Sequence, residues 1–180
     1  MWKSFMSFFN PETISRAPQP RLRIRATLWQ QILEGLRERG CGVRESGAFL
    51  IGTGEGAERT VTGFVLYDDL DPNCLNEGYV RFDGRYYGRL WELCSRDALR
   101  VVADVHTHPH GPGQSHSDRT HPMISIPGHI ALIVPNYAYG PISATDVAVY
   151  VYRGRHRWTT FRGNRASKVL TIETKELEIQ

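Results

Sequence analysis

The stretch VVADVHTHPHGPGQSHSD, residues 101–118, joins an apolar segment to a polar loop, and the fold can be worked out from it. The apolar residues of VVADV favour a buried β-strand. Pro109 and the glycines after it end that strand, because proline cannot donate a ladder hydrogen bond and glycine favours turns. Four of the seven histidines of the chain lie in this stretch. Histidine is the commonest metal ligand in proteins, so the spacing of these four residues indicates whether they could bind a metal ion.

The spacing of the histidines predicts a metal site at the end of this strand. Side chains two residues apart on a strand point to the same side, so His106 and His108 project together. A carboxylate from the loop, Asp118, would complete three protein ligands and leave a fourth position open. Two imidazole nitrogens and one carboxylate suit Zn²⁺, and an open position is typical of a catalytic site. A structural zinc site would require four ligands, most often cysteines, and this stretch has none.

The loop also offers groups that a hydrolytic zinc site uses. Water bound to such a zinc has its pKa lowered to about 7, and a base must take up its proton and return it to the leaving group. The hydroxyl of Ser115, three residues before Asp118, is placed to stabilise the oxyanion of a tetrahedral intermediate. Ser115 also suits the N-cap of a helix, a position that Ser117 could fill instead. Sequence spacing alone does not identify the base.

Four further polar residues lie near the predicted site. His110, His116 and His121 are interpreted as loop histidines, because a fourth protein ligand would close the open position that hydrolysis requires. Asp104 lies on the same strand face as His106. A carboxylate inside an apolar strand needs a partner, so we hypothesise that Asp104 orients a ligand histidine.

The rest of the chain predicts an α/β domain. RLRIR (21–25) favours a short strand, followed by a helix that Thr27 would cap and Gly40 would end. ESGAFLIG and TVTGFVLY predict a β-hairpin, after which YVRF favours a short strand. Asp83 would cap a second helix. HIALIVP favours a buried strand, and DVAVYVYR with HRWTTF predicts a closing hairpin. Because no regular βαβ repeat is present, we expect a mixed β-sheet sandwiched by at least two helices.

The length of the chain and the positions of its turn-forming residues predict one domain with an extension at each end. A chain of 180 residues is long enough to bury one hydrophobic core. The predicted boundaries are an N-terminal extension over residues 1–20, the domain over 21–165 and a C-terminal tail over 166–180. On a helix, the extension would carry an apolar stripe of Trp2, Phe5, Met6 and Phe9. The stripe either packs on the domain or docks on a partner.

Composition narrows the class of protein. Hydrophobic residues make up 41% of the chain and charged residues 23%, as in ordinary globular proteins. The net charge of +3 is too small to indicate nucleic acid or a membrane surface as a partner. No apolar run reaches membrane-spanning length, and the N-terminus lacks the apolar centre of a signal peptide. Three cysteines without a CxxC pair predict reduced thiols in a cytoplasmic protein.

Together these features are similar to a known family. His106-Thr107-His108-Pro109, followed by Ser115-His116-Ser117-Asp118, resembles the JAMM motif of JAB/MPN-type zinc metallopeptidases. The order of predicted elements from about residue 21 to 161 is also similar. The resemblance implies the JAB/MPN, cytidine-deaminase-like architecture. It further implies that the glutamate of ESGAFLIG, Glu45, lies against the metal water as the catalytic base.

Two features depart from the usual family pattern. Gln114 stands where many members have a proline directly before the serine. Pro122 follows the aspartate closely, so the helix after Asp118 must be short. Both departures leave the metal ligands intact and affect the expected shape of the substrate groove.

The resemblance implies a zinc-dependent isopeptidase or peptidase. Its substrate would be the bond after the C-terminal glycine of a ubiquitin-like protein, cleaved in precursor maturation or in deconjugation. Bacterial members, which this chain resembles most, work beside ubiquitin-activating-like and conjugating-like enzymes, some of them in antiviral systems. One alternative is a zinc hydrolase of a small amide or a sulfur-carrier adduct. Another is a non-catalytic MPN scaffold, although scaffolds generally lack motif residues that are present here.

Overall fold

In the computed structural model, which describes residues 19–54 and 56–174, eight strands form one mixed sheet. The apolar stripe predicted for the N-terminal extension lies outside the described residues. The strands are β1 (Arg21–Arg25), β2 (Gly47–Thr53), β3 (Glu58–Leu66), β4 (Arg100–Thr107), β5 (Ile130–Val134), β6 (Ala148–Tyr152), β7 (Trp158–Phe161) and β8 (Leu170–Glu173). The α-helices are α1 (Ala26–Gly40), α2 (Tyr67–Leu70), α3 (Tyr87–Arg96) and α4 (His116–Thr120).

The strand that carries His106 and leads directly into His108 lies in the interior of the sheet. The strand order is β7-β6-β5-β4-β2-β3-β1-β8, in which β4 pairs antiparallel with β2 and parallel with β5. The predicted hairpin β2–β3 is confirmed, and so is the closing hairpin β6–β7. Because β4 is covered on both edges, the polar groups at its end have fixed positions.

Side chains of β2 alternate between two cores. Ala48 and Leu50 pack with the buried face of α1, which includes Ile32. Phe49, between them, packs with Leu90 of α3 in a separate aromatic-rich cluster. This alternation follows from the period of two in a strand. Helix α1 therefore covers one face of the sheet, and α3 covers the other.

The structure corrects the predicted boundary at residue 165. Strand β8, which lies in the predicted C-terminal tail, pairs in parallel with β1, and Leu170 is fully buried. The 3-10 helix Gly163–Lys168 leads into it. The β8 sequence LTIE alternates apolar and polar residues as a strand does, but four residues are too few to distinguish a strand from an irregular tail. The folded unit therefore extends at least to Glu173.

Three local predictions also differ from the structure. Helix α1 begins at Ala26 directly after β1 without a side-chain cap, so Thr27 lies inside the helix. Residues 79–82 form no strand, because the backbone N–H of Arg81 bonds to the Cys74 carbonyl in a local turn rather than to a neighbouring strand. Asp83 accepts a hydrogen bond from the N–H of Arg85, but it caps the 3-10 helix Gly84–Tyr86 that leads into α3 and not α3 itself.

Gly47 is the position where β2 has no room for a side chain. A Cβ atom there would lie 2.2 Å from the ring of Tyr67 and 2.9 Å from the carbonyl oxygen of Val105. The ring is fully buried, so it cannot move aside without disturbing the aromatic cluster. Glycine at this position allows β2 to approach β4 closely just beside the histidines.

We expect Gly47→Ala to lower the free energy of unfolding by about 1–3 kcal/mol, because the added methyl overpacks a rigid site. Urea denaturation measures the change. The matched control is Gly35→Ala inside α1, where the new Cβ would make an ordinary 3.5 Å contact with Leu66. That control should gain about 0.5–1 kcal/mol from helix propensity. A Gly47→Ala variant as stable as the wild type would contradict the close-approach argument.

Candidate metal centre

Three side chains bring potential ligand atoms together at the end of β4. The Nε2 atoms of His106 and His108 lie 3.0 Å apart. The carboxylate of Asp118 approaches both, with Oδ1 3.5 Å from the first nitrogen and Oδ2 3.3 Å from the second. All three ligand atoms lie within 4.8 Å of one another, and both histidines are buried. These are the three residues that the sequence predicted as metal ligands.

The spacing of these atoms fits a tetrahedral metal ion. Two ligands bound at about 2.0–2.1 Å, with a tetrahedral angle between them, lie about 3.3 Å apart. The observed separations of 3.0–3.5 Å match that value. Two imidazoles and a carboxylate also form an established donor set for transition metals. The arrangement can therefore hold a metal ion with three protein ligands.

The register of β2 against β4 brings Glu45 to this site. Gly47 pairs with His106, and continuing the antiparallel register by two residues places Glu45 opposite His108. The Oε1 atom of Glu45 lies 3.7 Å from Nε2 of His108. Ser46 fixes the junction, since its N–H bonds to the Thr107 hydroxyl and its carbonyl accepts from the Thr107 N–H.

A second segment holds Glu45 in place. Its backbone N–H donates to the carbonyl of Gly78, and its carboxylate accepts a hydrogen bond from the N–H of Val80. Burial raises the pKa of the Glu45 carboxyl above its ordinary value of 4.5, and the charges of the two site histidines partly offset that effect. A carboxylate with a raised pKa is a better proton acceptor near neutral pH.

Asp118 is positioned by the cap of the short helix α4. The side chain of Ser115 accepts a hydrogen bond from the N–H of Asp118, and Asp118 Oδ2 accepts one from the N–H of Ser115 at 2.6 Å. This reciprocal capping box fixes the rotamer of the carboxylate. The same Oδ2 atom faces His108, so the cap directs the carboxylate toward the histidines.

The protonation states of these groups depend on one another. Burial raises the pKa of Asp118, but hydrogen bonds from His106 and His108 and from the Ser115 N–H hold it well below its usual range. Burial lowers the pKa of His106, but the carboxylates of Asp118, Asp104 and Glu45, with Asp118 contributing most, together raise it above 6.5. Asp118 is therefore ionised at neutral pH, as a metal ligand must be.

A cavity of about 500 Å³ opens beside the three residues. His106 and Asp118 lie on its wall, and so do Gln114 and Ser117 from the loop and the start of α4. Much of the remaining wall is aromatic and comes from Tyr79, Phe82, Tyr87 and Trp158. A cavity of this size can admit an extended peptide segment or a small molecule.

The structure also places the other candidate residues. Ser115 is exposed and acts as the N-cap of α4, so the capping alternative is correct for it. Its oxygen accepts a hydrogen bond, which leaves the hydroxyl hydrogen available to donate. His110, His116 and His121 are all exposed, although His116 is the first residue of α4 and not part of the loop.

The hypothesis that Asp104 orients a ligand histidine is wrong. Its Oδ1 atom lies 2.5 Å from Nε2 of His129, and its Oδ2 atom accepts a hydrogen bond from the hydroxyl of Tyr67. All three residues are buried. Asp104 therefore finds its partners away from the metal ligands, although it lies on the cavity wall. The partners come from distant parts of the chain, so no local sequence signal identifies them.

The chain has a distant sequence relative among known proteins. No family model matches the chain. Over 74 residues, 41% of its length, the chain is 27% identical to a protein of Sinorhizobium fredii named probable metalloprotease y4jG. The match spans 46% of that relative, so the chain corresponds to just under half of its length.

Two solved structures share the fold. The solution structure of protein DSY2949 from Desulfitobacterium hafniense superposes with a TM-score of 0.63 at 14% identity, over 88% of this chain and 97% of that one. A protein from Salinibacter ruber gives a TM-score of 0.52 at 17% identity, over 87% and 93%. At these identities the likeness concerns the fold alone. Within residues 19–54 and 56–174, no helix is both long and apolar enough to cross a bilayer.

We expect metal affinity to fall as the pH decreases from about 8 to about 6, because protons compete with the metal for histidine nitrogens. The raised pKa of His106 starts this loss at a higher pH than for an ordinary histidine. Below that pKa the affinity should fall about tenfold per pH unit for each proton displaced. Calorimetric titration with Zn²⁺ measures it.

Two variants serve as comparisons. Asp118→Asn should bind the ion more weakly at the upper pH and show a shallower pH dependence, because the charge that raises the pKa of His106 is lost. His116→Ala changes an exposed histidine of α4 and should bind like the wild type. Affinity that is constant over this pH range would rule out coordination by His106.

Proposed function

We propose that this chain is a zinc-dependent isopeptidase or peptidase of the JAB/MPN type. The observation that carries the proposal is the convergence of His106, His108 and Asp118 within 4.8 Å, with the Glu45 carboxylate 3.7 Å from His108. The likeness to a probable metalloprotease supports a metal-dependent hydrolase. The JAMM-like pattern HTHP…SHSD supports the JAB/MPN type.

Zinc is the ion that best suits this donor set. His106, His108 and Asp118 would hold it through two nitrogens and one oxygen, and three protein ligands are typical of catalytic zinc. When bound, zinc acts as a Lewis acid that polarises a carbonyl and makes water a stronger nucleophile at neutral pH. Thiolate ligands, which structural zinc sites favour, are absent from this cluster.

Glu45 moves the proton in the proposed reaction. Its carboxylate takes a proton from the attacking water and then gives it to the amine that leaves when the peptide bond breaks. Its raised pKa, caused mainly by burial, suits both steps. Because the base must be ionised to start, activity should fall as the pH decreases through a value above 4.5.

Ser115 would stabilise the charge that develops on the scissile carbonyl. Its oxygen accepts the N–H of Asp118, and its hydrogen remains free to donate to an oxyanion. Its place at the cap of α4 keeps the hydroxyl beside the ligand carboxylate. The predicted capping and catalytic roles of Ser115 are therefore compatible.

The proposed substrate is the C-terminal glycine tail of a ubiquitin-like protein, joined to a lysine or to a precursor extension. Glycine has no side chain, so such a tail can enter the aromatic-walled cavity as an extended strand. Tyr79 and Trp158 form part of such a wall. By analogy with bacterial family members, the enzyme would work in the cytoplasm beside ubiquitin-activating-like and conjugating-like enzymes, in a system that can be antiviral.

We expect the purified protein to contain one zinc ion per chain and to cleave a reporter fused to a glycine-terminated ubiquitin-like protein. Glu45→Gln should keep the zinc but lose about 10²–10⁴-fold in kcat, because the proton acceptor is removed. Metal analysis and a gel-based cleavage assay measure the two quantities. The matched control is Glu58→Gln, which changes an exposed glutamate paired with surface arginines and should cleave normally.

The outcomes separate the competing functions. Zinc binding with cleavage of short amides but of no ubiquitin-like fusion would favour the small-amide or sulfur-carrier hydrolase. A protein without zinc and without cleavage would favour the non-catalytic scaffold. Cleavage by Glu45→Gln at the wild-type rate would remove Glu45 from the mechanism.

A further inference from the structure

We infer that the hydroxyl of Tyr150 is a positioning group for the Asp118 carboxylate and acts through the loop between the histidines and α4. The inference rests on the proposed metal centre and adds a residue to it. Tyr150 lies on β6, 32 positions after Asp118 in the sequence, and is 2% exposed.

The loop that carries the third ligand has little structure of its own. Residues 109–115 read PHGPGQS and form no helix or strand. Because no helical or strand hydrogen bonds hold this segment, its position depends on contacts with its surroundings. At its start, the carbonyl of His110 accepts a hydrogen bond from the N–H of Asn136. The remainder of the loop depends on contacts with the hairpin β6–β7.

Tyr150 supplies the central contact. Its hydroxyl donates to the carbonyl of Pro112 at 2.9 Å and accepts a hydrogen bond from the N–H of Gln114 at 3.1 Å. The Arg162 guanidinium donates to the same oxygen at 2.9 Å. Both Gln114 N–H and Arg162 can only donate, so the hydroxyl hydrogen must point to Pro112. One buried hydroxyl therefore has its donor and both its acceptor positions in use.

The geometry links this hydroxyl to the ligand over a short path. Gln114 directly precedes Ser115, whose backbone N–H donates to Asp118 Oδ2 at 2.6 Å. The Asp118 Oδ2 atom in turn lies 3.3 Å from the Nε2 atom of His108. If the Gln114 peptide moved, the N-cap of α4 would move with it. The Asp118 carboxylate would then no longer face His106 and His108.

The other end of α4 is held by the same hairpin. Nε1 of Trp158, on β7, donates to the carbonyl of Arg119 at 3.1 Å. The rings of Trp158 and Tyr150 meet edge to face, with centroids 6.5 Å apart. Hairpin β6–β7 thus contacts the ligand-bearing segment on both sides of Asp118. The hairpin therefore supports the segment whose helix cap positions Asp118.

The test is Tyr150→Phe, which removes the hydroxyl and keeps the ring. We expect Zn²⁺ affinity to fall by about 10–100-fold, as for other groups that orient metal ligands. We also expect faster hydrogen exchange at the Gln114 amide, which loses its acceptor. The matched control is Tyr152→Phe on the same strand, whose hydroxyl accepts from the N–H of His156 in the β6–β7 turn. It should change neither quantity.

Calorimetry with Zn²⁺, amide exchange and thermal melting are measured on both variants. A drop in affinity and faster Gln114 exchange in Tyr150→Phe alone, at similar melting temperatures, support the inference. Wild-type Zn²⁺ affinity in Tyr150→Phe would overturn it, whatever the exchange rate at Gln114. Equal losses in both variants would also overturn it, because they would indicate general destabilisation of the hairpin.

The experiment also separates this inference from the proposed function. If the wild-type chain bound no zinc, the metal centre would be rejected, and exchange at Gln114 would still decide whether Tyr150 holds the loop. If zinc bound equally well to wild type and Tyr150→Phe, the metal centre would stand and the positioning role would fail.

Discussion

The site depends on one constraint, the register of β2 against β4. Gly47 lies opposite His106, and two residues further along the same ladder Glu45 meets His108. A slip of one residue would turn the β2 side chains to the opposite faces of the sheet and remove Glu45 from the site. Packing on both faces of the sheet fixes this register. Ala48 packs in the core under α1 and Phe49 in the core under α3, so a shift of β2 would disrupt both cores.

The charges of the four clustered side chains compensate one another. Burial of two histidines and two carboxylates is costly unless they compensate one another. Asp118 stays ionised because the site histidines and the Ser115 N–H stabilise its charge, while burial raises the pKa of Glu45. The two carboxylates thus differ in basicity although they lie around the same histidines. Asp118, which stays ionised, is suited to bind a metal, and Glu45 is suited to exchange protons. Different environments thus give two carboxylates different chemical roles.

Much of the site could be predicted because its parts follow local rules. The pairing of His106 with His108 needs only the period of a strand, and the approach of Asp118 to its cap needs only the three-residue spacing of a helix N-terminus. The role of Glu45 came from family resemblance, since 61 residues separate it from His106. The strand period correctly predicts that Asp104 and His106 share a face of β4. It does not predict the partner of Asp104, because His129 precedes a neighbouring strand 25 residues away in the sequence.

The sequence by itself determined the ligand types, their arrangement at a strand end, and the two hairpins, because these depend on side-chain chemistry and on neighbours a few residues apart. Only the tertiary structure decided which strand lies beside β4, that β8 belongs to the sheet, and that Tyr150 reaches the loop before Asp118. Those contacts join segments far apart in the chain. Their selection depends on the packing of the whole core, and the periodicity of a single segment carries no information about it.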